Sequence, residues 1–279
     1  MLPRLVIHPG FHKTGTSAVQ HALKRDRQKL ASHLRVYVKS DMPALCKAAR
    51  TYGQCPEPLE MSLFIYEVAC LFETIDPADP RLVLLSGEDL SGAMPGREGR
   101  QGYPVAAPLM TALLDTVAEV WGDRPETTIH YSTRAPDAWT QSCHAQHLRA
   151  SRMRMDLQDY TDWQRPHADL SAQVAAIIGA LPGDMTVVQT PLEACQGQEH
   201  GPLAPLLDLA EIPLALRQRM APVPHRNSAL PAEVRSSLLD LNRSDAAPEA
   251  LRREKAALVA RAEAQMLSQV PHTRPEETR

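Results

Sequence analysis

The fold of this 279-residue chain is decided by one stretch near its start, Leu5-Val6-Ile7-His8-Pro9-Gly10-Phe11-His12-Lys13-Thr14-Gly15-Thr16-Ser17. Its apolar beginning is typical of a buried strand, and a glycine-containing turn then precedes a helical pattern. The first backbone N–H groups of a helix have no intrahelical partner and carry the positive end of the helix dipole. A strand, a glycine turn and a helix in this order therefore predict an anion site.

Several side chains of the turn are suited to a phosphate or sulfate. Lys13 supplies a full charge, Gly15 has no Cβ to keep a ligand away from the backbone, and three hydroxyls can donate hydrogen bonds, those of Thr14, Thr16 and Ser17. The spacing differs from a nucleoside-triphosphate P-loop, in which the lysine follows the second glycine. The alternative interpretation is an ordinary turn with a solvated lysine.

A second strand-to-helix junction lies at residues 127–142. The β-branched segment Thr127–Thr133 alternates and predicts a strand, and Pro136 is well placed at the first position of a helix. Arg134 then leaves the end of the strand, and Ser142 lies two turns into the helix.

These two junctions together resemble the sulfotransferases that use 3′-phosphoadenosine 5′-phosphosulfate (PAPS). The order H-x-G-x-H-K-T-G-T-S at residues 8–17 is similar to their 5′-phosphosulfate loop. The order R-x-P-x-x-x-x-x-S at residues 134–142 is similar to their 3′-phosphate motif. The resemblance implies that Arg134 and Ser142 bind the 3′-phosphate. Ala135 and Cys143-His144 depart from the family pattern and concern the adenosine pocket.

A third apolar run, Arg81–Ser86, ends in Gly87-Glu88-Asp89-Leu90-Ser91. Parallel strands bind ligands beyond their carboxyl ends, so Glu88 should face the same crevice as Lys13 and Arg134. The resemblance implies that Glu88 is the general base. His12 is the reserve base, because it adjoins Lys13 and a histidine can titrate near neutral pH. The alternative for Glu88 is a helix-capping or solvated loop acid.

A late segment, Pro224-His225-Arg226-Asn227-Ser228, resembles a loop that closes over the nucleotide in bacterial sulfotransferases. Arg226 is the residue that the resemblance assigns to nucleotide binding. An ordinary loop between helices is the alternative.

Composition limits the partners. The net charge of −3 gives no general field for nucleic acid, and 4% aromatic residues offer few stacking platforms. The chain has no apolar stretch long enough for a membrane and no signal-peptide pattern, so we expect a cytoplasmic protein without a membrane partner. Its five cysteines include no C-x-x-C pair, and no metal site is expected.

Alternation of apolar strands and helices predicts an α/β fold, a three-layer α/β/α arrangement with a central parallel sheet, helical insertions and a helical C-terminal part. The resemblance to sulfotransferases implies that this fold is similar to that of P-loop NTPases. We expect one domain over residues 1–268 and a flexible tail over 269–279. Strands are predicted at 3–8, 81–86, 127–133 and 184–190. Helices are predicted at 16–31, 42–52, 57–74, 104–121, 136–150 and 168–180, and then to the end.

The functional expectation is sulfuryl transfer from PAPS to a hydroxyl or amine of a small-molecule or carbohydrate acceptor, without a metal. Two alternatives stay open at this point. One is a small-molecule kinase with a degenerate P-loop, in which Glu88 or Asp89 holds Mg²⁺. The other is a nucleotide-binding protein without catalysis. The sequence does not indicate the oligomeric state.

Overall fold

A central parallel sheet organises the chain. The computed structural model describes residues 2–182, 185–224 and 230–268. Within them, five strands form one sheet in which every neighbouring pair is parallel: β1 (Leu5–His8), β2 (Leu34–Val38), β3 (Leu82–Ser86), β4 (Thr127–Thr133) and β5 (Thr186–Pro191). Their order is β2-β3-β1-β4-β5, so the strand nearest the N-terminus is central.

The central strands are buried on both faces. Leu5 of β1 aligns with Val83 of β3 on one side and with Thr127 of β4 on the other, and all four residues of β1 are buried. Strands covered on both faces consist of continuous apolar runs, because neither face meets water. This is why β1 and β3 can be predicted from their continuous apolar runs.

Helices cover the sheet and give the three-layer α/β/α arrangement that the sequence predicts. Val6 and Leu84 of the sheet share one core cluster with the helical residues Val19, Leu23 and Leu207. The helices are α1 (Thr16–Arg25), α2 (Arg27–Leu30), α3 (Pro43–Gln54), α4 (Pro58–Glu73), α5 (Ala106–Trp121), α6 (Pro136–Ala150), α7 (Leu157–Gln164), α8 (Leu170–Ala180), α9 (Ala204–Leu209), α10 (Leu214–Arg217), α11 (Ala232–Arg243) and α12 (Pro248–Ser268).

The described residues divide into two compact units, one within Met1–Trp139 and Gln164–Arg226 and the other within Thr140–Trp163 and Asn227–Arg279. The first unit contains the whole sheet. The expectation of a single domain over 1–268 stays a prediction, and the expected tail at 269–279 lies outside the described residues.

The second unit has a polar core of its own. Asn242 of α11 is fully buried, and its side-chain amide donates to the carbonyl of Leu148 in α6 at 3.1 Å. Lys255 of α12 donates to the Asn242 side-chain oxygen at 2.9 Å and to the Ser151 carbonyl at 2.7 Å. A buried ammonium group needs hydrogen-bond partners, and these carbonyl and amide oxygens supply them. The same hydrogen bonds join three helices.

Three local features differ from the sequence prediction. The helix expected at 16–31 is interrupted at Asp26, whose buried carboxylate accepts hydrogen bonds from Arg25 and Lys29 at 2.6 and 2.7 Å. The edge strand β2 and helix α7 are not among the predicted elements. No helix among the described residues is long and apolar enough to cross a membrane.

Candidate anion-binding site at the carboxyl edge of the sheet

The loop between β1 and α1 lies at the point where the sheet changes direction. From β1 the chain crosses to β2 on one side, whereas β4 and β5 lie on the other side. Ligands of open α/β sheets bind beyond the carboxyl ends of the strands at such a switch point. Lys13 follows β1 and Arg134 follows β4, so the two predicted motifs flank this crevice.

The loop backbone needs left-handed conformations at three positions. Gly10, Lys13 and Gly15 have φ values of 56°, 69° and 95°, and Gly15 is the N-cap of α1. A Cβ on Gly15 would lie 2.9 Å from the Cδ1 of Leu192. Gly15 is therefore required both by its φ and by this close approach. Lys13 adopts a conformation that is uncommon for a residue with a side chain.

Several donors of the loop have no acceptor in the described part of the chain. This holds for the backbone N–H groups from Thr14 to Ser17 and for the hydroxyl of Thr16, which is buried. The first turn of α1 contains no acidic residue that would neutralise the helix dipole. Buried donors without partners are costly, so the arrangement fits an anion.

The Thr14 hydroxyl is used differently from what the sequence suggests. It is fully buried and donates to the carbonyl of Phe11 at 2.6 Å, so it closes the loop on itself. Ser17 is exposed at the start of α1. Of the hydroxyls singled out in the sequence, that of Thr14 is therefore committed to the loop, that of Thr16 is buried without a partner among the described residues, and Ser17 is exposed.

The loop is held from the other side of the crevice by residues that follow β4. A terminal nitrogen of Arg134 donates to the carbonyl of Lys13 at 3.1 Å. The indole N–H of Trp139 donates to the carbonyl of His12 at 3.0 Å. These bonds bring the two sequence motifs together, although more than a hundred residues separate them in the chain.

His12 contacts two residues on its side of the crevice. Its backbone N–H donates to the Tyr103 hydroxyl oxygen at 2.8 Å, and its Nδ1 lies 3.2 Å from the same oxygen. Its Nε2 lies 3.5 Å from a carboxylate oxygen of Asp89. Sequence reasoning missed Tyr103, which has no motif around it.

Glu88 and Asp89 follow β3 in a short 3-10 helix, Glu88–Ser91, and both are ion-paired. Lys39 lies 3.1 Å from Glu88 and 2.7 Å from Asp89, and Arg50 lies 3.0 Å from Asp89. The side-chain amide of Gln20 donates to the second oxygen of Glu88 at 2.8 Å. The sequence prediction does not include Lys39 or Arg50.

The two carboxylates differ in exposure and in partners. The side chain of Glu88 is 15% exposed, whereas that of Asp89 is 2% exposed. Burial alone raises the pKa of Asp89, but hydrogen bonds from His12 and Lys39 outweigh it and hold that pKa below its usual range. Burial alone lowers the pKa of Lys39, but Asp89 and Glu88 outweigh it and raise that pKa. Asp89 and Lys39 therefore stay charged near neutral pH.

A buried polar layer lies at the carboxyl ends of the three central strands. The ring nitrogens of His8 lie 2.9 Å from the Ser86 hydroxyl of β3 and 3.1 Å from the Ser132 hydroxyl of β4. The ring of His130 lies 5.4 Å from the His8 ring and bonds to Thr190 of β5 at 3.0 Å. Burial, followed by His130, lowers the pKa of His8 well below its usual value.

Two of the predicted nucleotide-binding residues stay predictions. Ser142 is a half-buried residue of α6 and belongs to the second unit. Arg226 lies outside the described residues. The described residues contain no group of three or more His, Cys, Asp or Glu side chains suited to a metal ion.

Comparison of the sequence with models of known protein families gave no match, and a search of curated proteins gave no significant match. The class of site is therefore defined by its geometry: a helix N-terminus, a lysine, an arginine and a carboxylate at the switch point of a parallel sheet.

Proposed function

We propose that the protein is a sulfotransferase that moves a sulfuryl group from PAPS to a hydroxyl or amine acceptor, without a metal. The observation that carries the proposal is the hydrogen bond from Arg134 to the Lys13 carbonyl. It joins the two motifs that resemble the 5′-phosphosulfate loop and the 3′-phosphate clamp.

The residues at the crevice suit the parts of the donor. The backbone N–H groups from Thr14 to Ser17 hold the 5′-phosphate, and Lys13 neutralises the charge that develops on the departing oxygen. Arg134 binds the 3′-phosphate, with Ser142 and Arg226 as the further partners that the resemblance implies. PAPS supplies the activated sulfuryl group.

Glu88 is the proposed general base. The acceptor oxygen or nitrogen forms a bond to sulfur while the bond from sulfur to the 5′-phosphate oxygen breaks, and Glu88 takes the acceptor proton. His12 is the reserve base for the same proton. Little covalent chemistry is required of the protein, so positioning and charge stabilisation supply most of the acceleration.

A kinase is the second candidate, because Gly10 and Gly15 bracket a loop as long as that of a P-loop NTPase. The carboxylates weigh against it. Glu88 and Asp89 already bind Lys39, Arg50 and Gln20, so a cation would have to displace these partners. A nucleotide-binding protein without catalysis is the third candidate.

Ligand-induced stabilisation separates the first two candidates. The product nucleotide 3′-phosphoadenosine 5′-phosphate (PAP) at 100 times its Kd should stabilise the protein by about 2.7 kcal/mol, and ATP with Mg²⁺ should have a smaller effect. Stabilisation by ATP with Mg²⁺ alone would favour the kinase. Transfer of labelled sulfuryl from PAPS to acceptors separates the enzyme from the non-catalytic protein.

The acceptor is a small molecule or carbohydrate in this proposal. We also propose that the reaction takes place in the cytoplasm, and that the protein binds neither nucleic acid nor a membrane. The donor nucleotide is the single anionic ligand that the crevice is proposed to hold.

A further inference from the structure

The surroundings of Glu88 carry information about the acceptor. Its carboxylate is contacted from two elements that precede it in the chain. Lys39, directly after β2, lies 3.1 Å from one oxygen, and Gln20 of α1 donates to the other at 2.8 Å. Each oxygen therefore already has one donor and keeps limited capacity for another.

The charge around this carboxylate is positive on the side of β2 and α3. Lys39 lies between Glu88 and Asp89, and Arg50 of α3 also pairs with Asp89. Asp89 in addition faces His12 of the loop. Lys39 and Arg50 are 37% and 42% exposed, so their charges also face the solvent from which an acceptor arrives.

Hydroxyl and amine acceptors meet this arrangement differently. A hydroxyl is neutral near pH 7 and can donate one hydrogen bond to a remaining lone pair of Glu88. An alkylamine is protonated there, since the reference pKa of a lysine side chain is about 10.4. Its ammonium group would have to approach a carboxylate that Lys39 already neutralises, and like charges repel.

We propose that Lys39 is a specificity-determining residue that restricts the acceptor to hydroxyl compounds and rejects protonated amines. The inference rests on the proposed sulfotransferase function. In the step it selects, the hydroxyl oxygen bonds to sulfur and the bond from sulfur to the 5′-phosphate oxygen breaks. The hydroxyl proton goes to Glu88, and PAP leaves.

The test compares matched acceptors in wild type and three variants. The acceptor pairs are benzyl alcohol with benzylamine, 2-phenylethanol with 2-phenylethylamine, and methanol with methylamine, each with sulfur-labelled PAPS. Water is the smallest hydroxyl acceptor, and its use is measured as PAP release.

The variants are Lys39→Met, which removes the charge, Lys39→Arg, which keeps it, and Lys47→Met, a control at an exposed lysine of α3. Melting temperatures verify that each variant folds.

Wild type should form O-sulfates and inorganic sulfate and much less N-sulfate than O-sulfate. Lys39→Met should lower the ratio of O- to N-sulfation by at least about 10-fold, because the repulsion of the ammonium group is removed. Lys39→Arg and Lys47→Met should keep the wild-type ratio. KM for PAPS should stay constant in all four proteins.

Two results overturn the inference, and they are distinguishable. Amines that wild type uses as well as alcohols, or an unchanged ratio in Lys39→Met, reject the role of Lys39 and leave the sulfotransferase proposal intact. Absence of PAP binding and of PAP release with every acceptor, water included, rejects the sulfotransferase proposal itself and the inference with it.

Discussion

Lys13 combines a left-handed backbone conformation with a charge beside the N-terminus of α1. Lys13→Ala should lower kcat by about 10²-fold or more, equivalent to about 2.7 kcal/mol, because the charge matters most as the leaving group develops. The Kd for PAP should change much less. Steady-state kinetics and calorimetry with PAP check both expectations, and Lys47→Ala at the exposed α3 position is the control. A near-normal kcat would contradict the assignment.

Arg134 should act on nucleotide affinity rather than on turnover. A charge-assisted hydrogen bond contributes about 1.5–3 kcal/mol, so Arg134→Ala should raise the Kd for PAP by about 10- to 100-fold. Adenosine 5′-phosphosulfate lacks the 3′-phosphate, and its binding should be affected less. Arg219→Ala, at an exposed position, is the matched control. Equal losses for both nucleotides would mean that Arg134 acts by holding the Lys13 carbonyl and not by reading the 3′-phosphate.

Paired variants distinguish whether Glu88 or His12 is the general base. Glu88→Gln keeps the shape of the side chain and its contact with Gln20 but cannot accept a proton, so a general base should lose about 10²- to 10⁴-fold in rate with PAP affinity intact. His12→Gln should then retain most activity. The reverse outcome transfers the role of base to His12. A lower melting temperature with a proportionate loss of activity would show a structural acid instead.

At the scale of secondary-structure elements, the start of α1 should tolerate no side chain at Gly15. Gly15→Ala combines a φ of 95° with a Cβ 2.9 Å from Leu192, so it should destabilise the fold by about 1–3 kcal/mol and weaken PAP binding. A methyl group on Gly179 of α8 would meet no other atom within 4 Å, and the φ of Gly179 is not positive. Gly179→Ala should therefore stabilise by about 0.5–1 kcal/mol. Thermal unfolding measures both, and an unaffected Gly15→Ala protein would contradict the loop geometry.

The strands show how far sequence reasoning extends. β1, β3 and β4 are predictable because buried central strands leave continuous apolar or β-branched runs. β2 is missed because Leu34–Val38 is an edge strand with Arg35 and Tyr37 at half-buried positions, so it lacks the continuous apolar run of a central strand. Lys39 follows β2 directly, so the missed strand also hides the cation that pairs with Glu88.

The residues of the site also fall into two groups, those that the sequence predicts and those that it misses. Lys13, Arg134 and Glu88 are identifiable because each directly follows or closely adjoins a predictable strand end. Tyr103 and Arg50 reach the site by tertiary contacts with His12 and Asp89, and nothing local in the sequence marks such contacts. The hydrogen bond from Arg134 to Lys13 likewise needs the strand order, which the sequence does not encode locally.

At the scale of the whole molecule, we expect the free energy of unfolding to fall on mild acidification, because two histidines are buried. Burial lowers the pKa of His130 to about 4 from its usual 6.5, and burial together with His130 lowers that of His8. Above pH 6.5 the imidazoles of His8 and His130 are neutral in both the folded and the unfolded chain. Below it the unfolded chain binds protons that the folded protein does not, so the free energy of unfolding should decrease by about 1.4 kcal/mol per pH unit and per histidine.

The expected window for this loss is pH 6.5 down to about 4. Asp26 and Asp89 have lowered pKa values, so their stabilisation is lost only at lower pH. Chemical denaturation at pH 7, 6 and 5 measures the decline. His8→Gln should show a shallower dependence than wild type, whatever its absolute stability. Equal slopes for the two proteins would show that His8 is not titrating on unfolding.

The central position of β1 has a consequence for synthesis on the ribosome. Of the five described strands this one is translated first, yet its neighbours begin only at Leu82 and Thr127, so both of its edges are unpaired while most of the sheet is still untranslated. Long-range parallel pairing of this kind is slow and exposes apolar segments to aggregation. The backbone edges of residues 5–8 therefore lack both of their partner strands until β3 and then β4 have been translated. The anion loop precedes the other residues of the site in the chain, and two of its carbonyls gain their hydrogen bonds only after Arg134 and Trp139 have been translated.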